Sequence, residues 1–235
     1  MPSAQPVILH YIFDPLCGWC YAAAPLVAAA RTLEGLQVRW HAGGMLSGAA
    51  RCTITPEWRA HVIPHDERIA TLTGQPFGDA YFNGLLQQFG ATLDSTPPIA
   101  AMLVAEALGG RGLDLLARAQ TAHYVEGQQI STLAVMQSLA QELGLDPQAF
   151  AAHFREAVES VAPEHIRASR EWLKVSGGQG FPTFLLEFTD PQSGERTGQR
   201  LDLSPWLGNA AGWQAHLQKL LSAVQTTPPD AAPGA

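Results

Sequence analysis

The chain has 235 residues, enough for one large domain or for one domain carrying a sizeable insertion. Apolar residues make up 46% and charged residues 15%, the balance of a folded globular protein and not of a disordered one. A formal net charge of −7 argues against a nucleic-acid partner, and three cysteines are too few for a disulfide framework.

The start, "MPSAQPVILHYIF", lacks a basic n-region and a small-residue cleavage site, so it reads as the entry to a strand and not as a secretory signal. No apolar run approaches the ~18 residues that a spanning helix needs. The expected compartment is therefore the cytoplasm, with no membrane partner. Val7 to Phe13, "VILHYIF", is a nearly continuous apolar run, which suits a strand buried on both faces. Asp14 and Pro15 end it. A helix is predicted from Cys17 to about Leu33, rich in alanine, kinked at Pro25 and stopped near Gly35. Gln37 to His41 alternates as a second strand, giving a β-helix-β unit with parallel strands.

From Thr55 to about Ser160 the pattern is helical throughout. Ile99, Met102, Leu103 and Val104 to Leu108 form one apolar stripe; Leu133, Met136, Leu139 and Leu143 form another; Phe150, Phe154, Val158 and Val161 continue the spacing. "TPP" at Thr96 and "DP" at Asp146 read as helix starts. The α/β pattern returns with a helix over Glu164 to Val175, a strand over Pro182 to Phe188, the hairpin-like connection "TDPQSGERTG", the short strand "QRLDL" and a last helix over Ala210 to Val224. The expected organisation is an α/β domain split between residues 1–50 and 161–224, an inserted helical domain over 51–160, and a disordered tail over 225–235.

"DPLCGWCY" places Cys17 and Cys20 at a strand-to-helix junction. A structural zinc site needs a second Cys or His pair at ligand spacing, whereas Cys52 is single and Pro64 stands between His61 and His65. No metal site is expected. A staple closing so short a loop stabilises little. Redox chemistry is the reading that the location favours. A thiol at a helix N-terminus faces unsatisfied N–H groups and the positive end of the dipole, which stabilise a thiolate. Cys17 is expected to be the exposed nucleophile and Cys20 the shielded thiol that resolves a mixed disulfide. Gly18 and Trp19 are expected to tune the couple, Trp19 also by simple packing. Cys52 reads as a small buried hydrophobe before a resolving thiol. The glycines of "HAGGMLSG" read as admitting a substrate backbone or as plain turn residues, and His10 and His41 as structural.

"CGWC" after an apolar strand, with Pro25 five residues past Cys20, resembles the thioredoxin superfamily. "DPLCGWCY" with the helical insertion resembles its DsbA-like branch, in particular the FrnE-type disulfide isomerases or oxidoreductases. "GQGFPTF" resembles the superfamily's cis-proline loop. The resemblance implies an α/β, thioredoxin-like fold with a large all-helical insertion. It also implies a cis Phe181–Pro182 bond facing the cysteines, with Phe181 pairing its backbone with substrate and Thr183 completing the loop. Tyr11 stands where thioredoxin and DsbA carry a buried acid; Asp14 instead matches the FrnE-like pattern, either assisting proton transfer at Cys20 or capping the helix.

The expected activity is thiol–disulfide exchange on protein or peptide thiols, as reductase, isomerase or oxidase. It needs no bound cofactor beyond the redox-active Cys17–Cys20 disulfide, with glutathione as a candidate co-substrate. Two other classes stay open. One is a glutathione-dependent transferase or isomerase of the kappa type, which shares the insertion but normally lacks the second cysteine. The other is a non-enzymatic holdase or binding protein that uses an apolar groove.

Overall fold

The computed structural model describes residues 6–190 and 193–225. The tail expected to be disordered lies outside the described residues from 226 onward, as do residues 1–5 and positions 191 and 192 of the hairpin-like connection.

Strand β1 (Val7–Phe13) is buried along its whole length because it is central. It pairs in parallel with β2 (Leu36–Ala42) on one side and antiparallel with β5 (Thr183–Thr189) on the other, and β6 (Arg196–Leu201) closes the order β2-β1-β5-β6. Alternate residues of β1 serve two layers. Tyr11 and Phe13 stack on each other, and Tyr11 also meets Phe184, whose ring packs edge-on against Trp213 of helix α9 (Ala210–Gln225). Trp213 Nε1 donates to the Leu26 carbonyl at 3.1 Å, which ties α9 to α2 (Ala24–Arg31). On the opposite face His10 stacks on Trp172 of helix α8 (Ala162–Val175). The sheet is thus a filling between two helical layers.

The helix expected from Cys17 to Leu33 is two helices. Helix α1 (Gly18–Ala22) stops at Ala23, and α2 begins at Ala24 with Pro25 in its first turn. Proline needs no N–H partner there, so the chain restarts its helix instead of kinking it.

The insertion is built from α3 (Pro56–Thr73), α4 (Thr96–Gly109), α5 (Gly112–Tyr124), α6 (Leu133–Glu142) and α7 (Pro147–Glu156). Two departures from an all-helical segment are small. A two-residue ladder pairs β3 (Cys52–Thr53) with β4 (Thr92–Leu93), and Ala80–Gly84 is a π-helical turn. Pro64 does not break α3, which runs through it. A second π-helical turn, Ala157–Val161, joins α7 to α8 without a break in the helical run. One apolar cluster takes in residues of the sheet and of the insertion alike. No helix among the described residues is long and apolar enough to cross a membrane.

Four histidine rings are buried or half-buried, and His10 Nε2 also lies 3.4 Å from Glu187 Oε2. His10 Nδ1 and His41 Nε2 are 2.9 Å apart, and His165 Nε2 accepts the Ala42 N–H at 3.0 Å. His10 and His41 thus serve packing, as the sequence suggested. Burial pushes His41 down to about 3, His165 to about 4 and His123 to about 4, and lowers His10. The unfolded chain takes up protons on these rings near pH 6.5, and the folded chain does not. Burial of Asp66, pushed up to about 6, and of Asp14, also raised, works in the opposite sense, but four rings outweigh two carboxyls. Stability should hold above pH 7 and decline from pH 6.5 toward 4, at about 1.4 kcal/mol per excess proton per pH unit. Urea midpoints measured across that window test this, and a level profile refutes it.

Candidate active site

The register of β1 assembles the site. Ile12 pairs with Thr183, so the residues just past Phe13 and those just before β5 meet at one end of the sheet. Gly43 N–H donates to the Phe13 carbonyl at 2.8 Å, bringing the loop after β2 to the same place. Three segments therefore converge: the cysteine loop, the Gly43–Met45 loop and the Phe181–Pro182 loop.

Cys17 is the N-cap of α1, with extended backbone, and its carbonyl accepts the N–H groups of Cys20 at 2.9 Å and Tyr21 at 3.0 Å. Both thiols are free. The Cys17 thiol lies 3.6 Å from the Phe181 carbonyl, and the Phe181–Pro182 bond is cis. Thr183 anchors that loop by donating its hydroxyl to the Gly180 carbonyl at 2.8 Å. Cys20 is fully enclosed; its thiol accepts the Asp14 N–H at 3.5 Å, and its carbonyl accepts the Tyr11 hydroxyl at 3.4 Å. Burial, and next the adjoining Cys17, hold the Cys20 thiol well above the usual thiol range.

The expected exposure of Cys17 is corrected: it is only 6% exposed. The helical insertion folds over it. Helix α3 brings Trp58, His61, Val62 and His65 to a cavity of about 270 Å³ whose wall includes Cys17 and Tyr124. Trp19 is half-buried, lines this cavity and packs on the core, so packing and site are both served. Gly18 also has a packing role. A Cβ there would lie 2.8 Å from Asp66 Oδ1 and 3.0 Å from Ile69 Cδ1, so its lack of a side chain lets α3 close over the dithiol.

Asp14 is buried, and it is not a helix cap. Its Oδ1 accepts Leu16 N–H and the Ser95 hydroxyl, each at 2.9 Å, and its Oδ2 accepts Met45 N–H at 2.5 Å. Burial raises its pKa, while these donors and the charge of Arg170 oppose the rise. Arg170, on α8, donates to the carbonyls of Gly43 at 2.8 Å and Gly44 at 2.7 Å, so it fixes the loop that supplies Met45. Neighbours account for the glycines of this loop: a side chain on Gly43 would overlap the Phe181 ring, and Gly44 has φ +65°. Cys52 is half-buried, its thiol directed to the Thr53 carbonyl at 3.5 Å, and it is not on the cavity wall.

Sequence reading did not find Trp58, Asp66, Tyr81, Tyr124 or Arg170. They reach the dithiol only through folding of the insertion and α8, and the His61–His65–Asp66 run on one helix is the faint signal that existed. Among the described residues, no group of three or more His, Cys, Asp or Glu is arranged to hold a metal ion.

A dithiol that opens a helix at the end of a parallel strand and faces a cis-proline loop is the arrangement of thioredoxin-like thiol–disulfide oxidoreductases. The chain belongs to the DSBA-like thioredoxin domain family, whose sequence model matches residues 8–196. Among solved structures it is similar to the cytosolic disulfide reductase DsbM from Pseudomonas aeruginosa, at 46% identity over 92% of this chain and 99% of that chain, with a TM-score of 0.83. The structure of the same Pseudomonas aeruginosa reductase with GSH aligns at 46% identity over 91% of this chain and 98% of that chain, with a TM-score of 0.82. No match was found among curated protein sequences.

The crowding at Gly43 has a measurable cost. Gly43→Ala should lower stability by about 1–3 kcal/mol, the range for forcing extra volume into a packed site. Gly84→Ala, where the added methyl meets open space, is the control. Equal urea midpoints for the two variants would refute the role given to Gly43.

Proposed function

We propose that the chain is a disulfide reductase of the cytoplasm that works through the Cys17–Cys20 couple on protein or peptide disulfides and draws its electrons from glutathione. The observation that carries this reading is the placement of the Cys17 thiol 3.6 Å from the Phe181 carbonyl, with Cys20 enclosed directly behind it. An extended substrate that bonds along the Phe181–Pro182 loop then presents its disulfide to Cys17 and not to Cys20. The reducing direction, the compartment and glutathione draw support from the 46%-identical Pseudomonas aeruginosa structures, described as those of a cytosolic disulfide reductase, alone and with GSH. The intact Cys20 argues against the kappa-type alternative.

The Cys17 thiolate attacks one sulfur of the substrate disulfide. A Cys17–substrate disulfide forms, the substrate's own S–S bond breaks, and the departing thiolate takes a proton. The Cys20 thiol loses its proton to Asp14 and attacks Cys17 Sγ, releasing the second substrate thiol. The substrate gains two electrons and two protons, and the protein is left with a Cys17–Cys20 disulfide. Two glutathione thiols return those electrons and leave as glutathione disulfide. Because burial keeps Cys20 protonated, resolution depends on a nearby base, and Asp14, whose carboxyl charge acts on that thiol, is the residue assigned to it. Gly18, Trp19, Phe181, Pro182 and Thr183 shape the surroundings of the exchange.

Two variants separate the thiols. Cys17→Ser should reduce turnover to the uncatalysed background. Cys20→Ser should accumulate a covalent mixed disulfide with substrate, visible by intact mass. Both belong in a Cys52→Ala background, which excludes rescue by the third thiol. Turnover by Cys20→Ser at the wild-type rate, or alkylation of Cys20 ahead of Cys17 at limiting reagent, would overturn the assignment.

A second measurement addresses Asp14. Its charge contributes to the raised Cys20 pKa, so Asp14→Asn in a Cys17→Ser background should let Cys20 ionise at lower pH. Thiolate absorbance against pH reads this directly, and an unchanged titration removes Asp14 from the scheme.

A further inference from the structure

Resting on the reductase reading, we propose that Asp66 receives a positively charged group of the substrate, so that the cavity over Cys17 favours disulfides carrying an ammonium a few bonds from the sulfur.

Asp66 lies on the part of α3 that closes over the dithiol. It is 5% exposed, and it lines the cavity that Cys17 also lines. Its two oxygens differ. Oδ2 accepts the Tyr81 hydroxyl at 2.8 Å. Oδ1 has no hydrogen-bond partner among the described residues, and it stands 2.8 Å from where a Cβ on Gly18 would be. The unused acceptor therefore abuts the residue that follows Cys17.

No lysine or arginine lines this cavity, and Asp66 is the one carboxyl among its lining residues. No cationic side chain stands within ion-pair distance of Asp66 among the described residues. The titratable groups facing it are His61 and His65 of its own helix, Tyr81 of the π-helical turn, His123 and Tyr124 of α5, and Cys17. Burial keeps His123 neutral at physiological pH and raises Tyr81 and Tyr124, so none of these three supplies a compensating charge. Asp66 itself is pushed up to about 6 by burial, which leaves it ionised at neutral pH. An unpaired, largely desolvated carboxylate is costly until a cation meets it. An entering ammonium meets that need, and the nearby Gly18 backbone puts it beside the attacking sulfur.

The test uses three small symmetric disulfides that differ in charge: cystamine, bis(2-hydroxyethyl) disulfide and 3,3′-dithiodipropionate. Each oxidises the pre-reduced full chain in a single turnover, forming the Cys17–Cys20 disulfide and releasing two small thiols. The second-order rate constant is read by acid quench and alkylation, with no recycling partner present. Asp66→Asn, which keeps an acceptor for Tyr81, should slow cystamine about tenfold, the scale of one charge-assisted hydrogen bond. It should leave the neutral disulfide within a factor of two and speed the anionic one. A parallel readout needs no variant. In the wild type, the ratio of the cystamine rate to the neutral rate should fall as pH drops from 7.5 to 5, because the thiolate fraction cancels and the charge on Asp66 does not. Equal slowing of all three disulfides by Asp66→Asn, or a ratio that stays level with pH, overturns the assignment. Failure of every disulfide to oxidise the cysteines overturns the reductase reading, and the assignment with it.

Discussion

The position of β1 between a parallel and an antiparallel neighbour is the constraint on which the site depends. A strand bonded on both sides has a fixed register, and a slip of one residue would turn its core face to the other layer. Here the register places Ile12 opposite Thr183 and Phe13 next to Gly43. The cysteine loop, the cis-proline loop and the glycine loop meet because the strand that carries the first is clamped to the strands that carry the other two. Tyr11 extends this order inward, since its hydroxyl holds the Cys20 carbonyl from the same strand.

Around that frame the insertion changes the surroundings of the chemistry. Helix α3 lies over the dithiol, and the glycine between the cysteines and α3 is what permits so close an approach. The outcome is a Cys17 thiol on a cavity wall shared with aromatic and imidazole rings. In such a cavity polar groups interact more strongly than they do in water, and each unpaired one costs more. Asp14 shows the solution the fold adopts elsewhere in the site: a buried carboxyl surrounded by three donors, with Arg170 at a distance opposing its neutralisation.

The sheet was legible because its signals are local. An unbroken apolar run marks the central strand, the alternation of "QVRWH" marks its partner, and "CGWC" and "GFPT" mark two loops that a known topology brings together. The stripes of α4, α6 and α7 were legible for the same reason. What escaped depends on contacts distant in sequence. Cys17 shares a cavity wall with side chains more than forty residues away, such as Trp58. The work of Gly43 is set by the Phe181 ring, and the partners of Asp14 come from Met45 and Ser95. Pro25 misled in a different way: read as an interior kink, it stands in a first turn, and only the stop at Ala23 distinguishes the two cases.

The unbroken passage from α7 to α8 has a mechanical consequence. From Pro147 to Val175 the backbone forms one bar, with a π-helical turn just before Pro163. One end of the bar is embedded among the inserted helices. The other end lies on the sheet and carries Arg170, which grips the carbonyls of Gly43 and Gly44. A bar anchored at both ends is a splint. Through the guanidinium, the bar is tied to the loop that lends Met45 N–H to Asp14. The inserted helices and the surroundings of the dithiol thus share one continuous piece of backbone, and the splint between them ends on the loop that holds Asp14.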